Sequence, residues 1–559
     1  MGRADSDTQQ IAYDIVEMLG IIEEAAEYLS DKTELGQAEF IQMYADMQES
    51  IAMIKKLAGQ WFSQNPEIQL EIQCDGMLFS MEGIIQLAAV SMGQAQEKIA
   101  YELIPMLDTA CIQFFYYAIA KGDESKKLEF RQLLKQKTMN RFIDKAVKTG
   151  VYQFDLSIFI QAYNHLDYTR RCVESVLENL PEDIRVELVL FNHGSTDETQ
   201  EYFESISNAK VVHVPVNGTF PGIVARVCRG RYCLFVSNDI IITPGTIHNL
   251  YHCIDEHADV GWVVPSTPNV SNLQTIPAHY NNTGELIEFA AKNNVYDERH
   301  HEQRVRLCNP ITMLKAETEA KMGEEMYEAL NCGQIFSFPD DKSSMWFRRN
   351  GYKLILAKDA YCHHFGSVTL GEEAAQEQTK NYTLGRIKMK EQFGIDPWGP
   401  GFCYDPVLVE ILQFPDDLSD ASIMGINCGL GSNPLKIKET LRCEKECHAV
   451  LYNFEQDENV IQDLKGVSDE VYLYESIPEI GKTAGGQHFS YIVMEQMRDE
   501  TVVCEYLKEF EKSNISFDFL YVKTEKPDDR LHLADARYRI KYQKAWICIT
   551  ADQTKRGKR

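Results

Sequence analysis

The chain has 559 residues, 44% hydrophobic and 25% charged, a composition ordinary for folded protein and a length that points to about three domains. Its formal net charge of −28 repels phosphate backbones and anionic lipid, which argues against a nucleic-acid partner. No apolar run reaches the length of a membrane span, MGRADSDTQQ lacks the basic and apolar regions of a secretory signal, and the 15 cysteines show no paired spacing, so a cytoplasmic location is expected.

Residues 1–148 read as an α-helical bundle. Ile11, Ile15, Met18, Ile22 and Leu29 recur at helical spacing, and Phe40, Tyr44, Met47, Ile51, Ile54 and Ala58 alternate steps of four and three. Two further helices are expected over 77–120 and 126–148, with Pro105 breaking or kinking the first. Such stripes are core far more often than cofactor boxes; protein recognition or homo-oligomerisation is the expected role. From 151 the period changes. LSIFIQAY, VELVLFN, AKVVHVPV, YCLFVSND and VGWVVP alternate with helical stretches at 167–180 and 197–207, which predicts an α/β domain over 151–400 with a largely parallel sheet. A third segment, 415–559, is again α/β: ASIMGI leads into a glycine-rich turn, NCGLGSN, and is followed by HAVLYNF, EVYLY and FSYIVM. The tail beyond about 550, DQTKRGKR, is basic.

Ligands of parallel sheets bind at the carboxyl ends of the strands, and the polar clusters fall there. The first strand closes on Ala162, Tyr163 and Asn164. The second closes on Asn192, His193, Gly194, Ser195 and Asp197. Asn238 and Asp239 follow GRYCLFVS; farther on, Asp340 and Asp341 precede a helix, Gly351-Tyr352 and the pair His363 and His364. Singly these are weak signals, because a strand-end Asp is more often a helix cap than a metal ligand, and paired Asp residues commonly cap the helix they precede.

In this order and spacing the clusters resemble the family 2 glycosyltransferases of the GT-A fold. LSIFIQAYN is similar to an opening strand such as VSVIIPTYN, and Asn192 to Asp197 to the DDGSTD turn. Gly230 to Gly245 is similar to a G-x-Y strand with NND-x-x-x-TPG, Val260 to Gln274 to VGP-x-TN followed by Gln, and His363 to Thr369 to HHFGS-x-T. The resemblance implies a nucleotide-sugar-binding domain over 151–400. Ala162, Tyr163 and Asn192 would bracket the nucleobase, and Asn164, Gly194, Ser195, Asp197, Asn238 and Gln274 would complete the donor site. It also implies a divalent cation, Mn2+ or Mg2+, to neutralise the leaving diphosphate. Of the D-x-D motif only Asp239 remains as a carboxylate ligand, and His364 is the implied second ligand. An inverting transfer needs a base on the opposite face, which the family supplies from its acidic run; Asp340 is preferred, with Asp341 beside it. Lys342 stands where a third Asp is common, and pairing with a carboxylate would lower its pKa.

The third segment resembles a degraded class I methyltransferase domain of Rossmann-like type. Gly425 to Gly431 is similar to E-x-G-x-G-x-G, with Gly425 in place of the acid and Asn427 in place of the first glycine; Glu455 falls where an acid would bind the cofactor ribose. An inactive scaffold is expected, and S-adenosylmethionine is not an expected cofactor. The implied activity is inverting transfer of a sugar, N-acetylglucosamine from UDP-GlcNAc first, to an acceptor hydroxyl of a glycan or protein, such as Ser/Thr of flagellin or another bacterial surface protein. The rival readings are a bifunctional glycosyltransferase and methyltransferase in surface-polysaccharide synthesis, and a non-catalytic assembly protein.

Overall fold

A computed structural model describes residues 2–32, 36–62, 70–123, 125–130, 142–214, 227–326, 338–366, 375–415, 418–498, 500–524 and 538–551. The basic tail and Ser367 to Thr369 of the His-Phe-Gly stretch lie outside them, apart from Ala551 at the tail's start. The chain is an α/β protein with mixed sheets and divides into two compact units: Met1–Ile241 with Met313–Ile335, and Ile242–Thr312 with Phe336–Arg559.

The first unit opens with helices α1 (Gly2–Asp31), α2 (Gln37–Phe62), α3 (Leu70–Ala88), α4 (Met92–Lys98) and α5 (Ile104–Phe114). On α2 the stripe Phe40, Tyr44, Met47, Ile51, Ile54 and Ala58 is buried throughout, because steps of four and three keep one face inward. Pro105 does not break its helix. It lies in the first turn of α5, directly after a π turn over Ile99–Leu103 that re-routes the backbone bonds around its missing N–H, and the helical path continues into a second π turn at Phe115–Ala120. The interruption comes earlier, at 89–91, where Ser91 caps α4 by accepting from the Gln94 N–H at 3.4 Å. Met92–Ala120 is long and apolar enough by composition to cross a membrane, with a mean hydropathy of 1.4, but 78% of that window is buried inside the fold. A helix that is apolar on all sides and enclosed by other helices serves equally as a core element.

Four parallel strands follow: β1 (Phe154–Ala162), β2 (Val186–Asn192), β3 (Ala209–His213) and β4 (Gly230–Ser237). They run in the order β3-β2-β1-β4, with helix α6 (Leu166–Glu178) after β1. Gly230 opens β4 where any Cβ would lie 2.5 Å from the Ser157 backbone nitrogen, so the close approach of β4 to β1 requires glycine. One apolar core joins the α1–α5 helices to Phe159, Phe191, Val212 and Cys233 of the sheet.

The second unit contains β5 (Val260–Ser266), β6 (His301–Arg304) and β7 (Lys353–Tyr361), in which β5 runs parallel and β6 antiparallel to β7. Helix α7 (Pro339–Arg349) packs its Phe347 ring 5.5 Å from Trp262 of β5. Its C-terminal end is tied down by Arg348 and Arg349, which both reach Asp463, a fully buried carboxylate. The unit's larger sheet comprises β8 (Asp420–Ile426), β9 (His448–Glu455), β10 (Glu470–Leu473), β11 (His488–Met497), β12 (Ser516–Thr524), β13 (Tyr538–Gln543) and β14 (Trp546–Ala551). Their order is β10-β9-β8-β11-β12-β14-β13; β8 to β12 are parallel, and β14 runs antiparallel to both β12 and β13.

A glycine-rich turn leads from β8 into helix α8 (Ser432–Lys445). The chain's own 398–402 segment lies on that turn. The Leu430 N–H donates to the Pro400 carbonyl at 3.0 Å and the Ser432 N–H to the Gly401 carbonyl at 3.2 Å. Gly401, at φ +72°, has no room for a side chain, since a Cβ would lie 2.6 Å from the Leu430 nitrogen. Glu455 closes the other side by accepting from the Gly429 N–H at 2.9 Å.

Candidate functional site

In the first unit the register aligns Ala162 with Asn192 and Gln161 with Ser237, so β1, β2 and β4 end in one row. Tyr163–Asn164, His193–Asp197 and Asn238–Asp239 all lie just beyond that row, at the end of a parallel sheet where ligands bind. The loops are cross-linked. Asn164, in the left-handed region at φ +56°, accepts from the Thr196 N–H at 2.8 Å, and its own N–H donates to Ser195 Oγ at 2.9 Å. Asp197 accepts from the Leu166 N–H at 3.1 Å and from the Thr199 hydroxyl at 2.6 Å. Asn238 donates to Thr169 Oγ1 at 2.9 Å and to the Asn164 carbonyl at 3.2 Å. These bonds fix the shape of the row.

Asn192 is fully buried. Its amide nitrogen faces Gln200 Oε1 at 2.7 Å and His213 Nδ1 at 3.1 Å, and its carbonyl accepts from the Ser195 N–H at 2.9 Å, so the side chain braces the turn. Burial pushes the neighbouring His193 down to about 4, which keeps it neutral. Asp239 occupies the turn after β4 and is 8% exposed.

In the second unit Asp340 and Asp341 occupy the first turn of α7. The N-cap is Phe338, which makes no side-chain cap bond. Asp341 pairs with Arg306 at 2.6 Å from Nε to Oδ1. Burial pushes both carboxyls up, with Arg306 pulling the other way; Asp340, next to a second carboxylate, is raised to about 7. Arg306 acts on both carboxyls and Arg348 on Asp341, but burial outweighs them, so both carboxyls are raised rather than lowered.

Gln274, also fully buried, brackets Cys308, accepting from its N–H at 2.7 Å and donating to its carbonyl at 2.9 Å. The His-Phe-Gly stretch is clamped by Asn269, whose amide donates to the His364 carbonyl at 2.9 Å and the Phe365 carbonyl at 3.1 Å. Gly366, at φ +92°, leaves room for the clamp, since a Cβ would meet Asn269 Cβ at 2.7 Å. His363 contacts the Tyr280 hydroxyl through Nδ1 at 2.7 Å, and His364 is 8% exposed. Sequence reading passed over Arg306 and Asn269. The alternation of charged residues in HEQRVR was the available signal for the first, because Glu302, Arg304 and Arg306 recur at every second position and so share one face of an extended segment, where they must find partners.

Residues 157–306 match the family model described as Glycosyl transferase family 2. Among characterised proteins, the chain is 26% identical over 113 residues to the Minor teichoic acid biosynthesis protein GgaB of Bacillus subtilis (strain 168), which covers 19% of this chain and 13% of that protein. It is 31% identical over 107 residues to the Chondroitin synthase of Escherichia coli, covering 18% of this chain and 15% of that one. The chain thus spans a small part of the length of either relative. Among solved structures, S. aureus TarS 1-349 in complex with UDP-GlcNAc aligns at 16% identity and a TM-score of 0.30, covering 42% of this chain and 66% of that one.

Proposed function

We propose that the chain is an inverting glycosyltransferase of family 2, GT-A type, that moves a sugar from a nucleotide-sugar donor to an acceptor hydroxyl. The observation that carries this reading is the row of polar residues at the carboxyl ends of β1, β2 and β4, which falls within the region matching the family. Tyr163, Asn164, Gly194, Ser195, Asp197 and Asn238 form its rim and are the proposed donor-binding residues, with Ala162 and Asn192 beneath them. Gln274 is a further proposed donor-binding residue, on the strength of its place in the family motif.

Asp340 is the proposed base. It takes the proton of the acceptor hydroxyl as that oxygen bonds to the anomeric carbon, while the bond from that carbon to the nucleoside diphosphate breaks with inversion. A carboxyl held near 7 both accepts a proton and is half ionised at neutral pH. Asp341 is oriented by Arg306 and supports Asp340. Asp239 and His364 are the proposed ligands of a divalent cation, Mn2+ or Mg2+. A little-hydrated carboxylate and an imidazole on a clamped backbone suit such an ion in chemistry. When bound, the ion would supply positive charge to the departing diphosphate. N-acetylglucosamine from UDP-GlcNAc is the proposed donor, and the proposed acceptor is a Ser/Thr hydroxyl of a surface protein such as flagellin, or a glycan, met in the cytoplasm.

For 415–559 we favour a Rossmann-like scaffold over a methyltransferase. The β10-β9-β8-β11-β12 order is that of a doubly wound sheet, and the glycine turn that would face a cofactor already gives the Leu430 and Ser432 amides to Pro400 and Gly401. Calorimetry with S-adenosylmethionine tests this; saturable binding would restore the bifunctional alternative. The transferase reading is tested by incubating purified protein with nucleotide-sugars and Mn2+ and measuring nucleoside diphosphate release. No turnover and no thermal stabilisation by any donor would overturn it.

A further inference from the structure

In the second unit, next to Asp341, β6, the residues after it, the 402–404 turn and the start of α8 line a small cleft open to solvent. Its electrostatics are opposite to those of the chain as a whole. Glu302, 1% exposed, is shared by Arg304 at 2.8 Å, Lys436 at 2.9 Å and Lys358, which together hold it at about 2 against the burial that would raise it. Arg306 adds a fourth cation and answers to Asp341. Four cations thus face two paired carboxylates. Asp340, the other carboxyl that Arg306 feels, loses much of its charge to burial.

Arg304 and Arg306 are 6% and 9% exposed, so the surplus charge sits where water screens it poorly. The Tyr404 ring lies 4.9 Å from the Arg304 guanidinium and 4.8 Å from the Lys436 ammonium, which holds both heads at the cleft wall. Guanidinium forks and an ammonium are groups that bind phosphate oxygens through charge-assisted hydrogen bonds. In a protein of net charge −28, a concave cationic surplus of this kind has a purpose other than solubility.

We propose that this cleft binds a phosphate-bearing group through Arg304, Arg306 and Lys436, placing that group next to the acidic pair of α7. The inference deepens the transferase reading and rests on it for the source of the phosphate, which is either a phosphorylated acceptor or the donor's diphosphate.

The test is calorimetric titration of the full-length protein with glycerol 3-phosphate, with glycerol as control, and separately with UDP and Mn2+. Glycerol 3-phosphate is expected to bind saturably and to weaken with added salt, while glycerol does not bind. Lys436→Gln and Arg304→Gln are each expected to weaken binding about tenfold or more, and Lys436→Arg to stay within about threefold of wild type. Thermal melting checks each fold; if Arg304→Gln fails to fold, Lys436→Gln decides, because the Lys436 side chain, 11% exposed against 6% for Arg304, is the less buried of the two. No binding by wild type, or unchanged affinity in Lys436→Gln, overturns the proposal. Simultaneous binding with UDP and Mn2+ assigns the phosphate to the acceptor, and displacement by them assigns it to the donor. Failure of UDP to bind wild type would remove the uridine-nucleotide donor, and the phosphate result would then stand alone.

Discussion

If Asp340 is the base, its titration governs the rate. With its carboxyl at about 7, the ionised fraction is about a tenth at pH 6 and about nine-tenths at pH 8, so kcat/KM rises about tenfold between them and then levels off. An ordinary carboxylate near 3.8 would give a flat profile over the same range. The assay is release of nucleoside diphosphate at fixed Mn2+ across pH 5.5 to 8.5 (an interval of about three units centred on the expected inflection). Asp340→Asn should lower kcat/KM by about 10² to 10⁴ and remove the limb, while Asp340→Glu should keep it. Arg306→Gln removes the cation that opposes burial, so the limb should move to higher pH, both carboxyls titrating as a coupled pair. The stability effect has the opposite sign to the rate. A carboxyl raised on folding holds a proton that the unfolded chain has lost, so this group favours the folded state most below about pH 4, and that contribution declines as pH rises to about 7. A flat rate profile in wild type, or an unchanged limb in Asp340→Asn, would refute the assignment.

Asp463→Asn leaves Arg348, 3% exposed, without its buried counter-charge and should cost about 3–5 kcal/mol in denaturant unfolding; a loss below about 1 kcal/mol would mean that α7 is anchored by packing alone. Gly401→Ala combines a positive φ with a clash against Leu430 and should cost about 2 kcal/mol or more, read as a lowered Tm; an unchanged Tm would show that the 398–402 segment does not sit on the glycine turn. Asp239→Asn should abolish Mn2+-dependent turnover while the protein still melts cooperatively, and undiminished turnover would remove Asp239 from the metal's ligands.

Local periodicity was legible in the sequence. The Phe40-to-Ala58 stripe is the buried face of α2, and the residues read as strand ends align in register at Ala162, Asn192 and Ser237. What the sequence did not display were pairings between distant residues. Arg306, thirty-five positions before Asp341 in the chain, pairs with it at 2.6 Å, delivered by a different element. The Asn192 amide looks available beside a turn, yet Gln200 and His213 occupy it. Pro105 was read by the rule for an α-helix, and a π turn satisfies that rule by a different bonding pattern. In each case the deciding partner is set by tertiary packing, which no window of neighbouring residues contains.

The seating of Pro400 and Gly401 on the glycine turn also bears on how this protein can be dissected. The glycine turn and the first residue of α8 take two amide acceptors from residues that precede β8 by about twenty positions, so the Rossmann-like region is not autonomous from its own start. A fragment excised at 415 would expose unmet donors at the head of α8, whereas one that begins before Trp398 would keep its native acceptors.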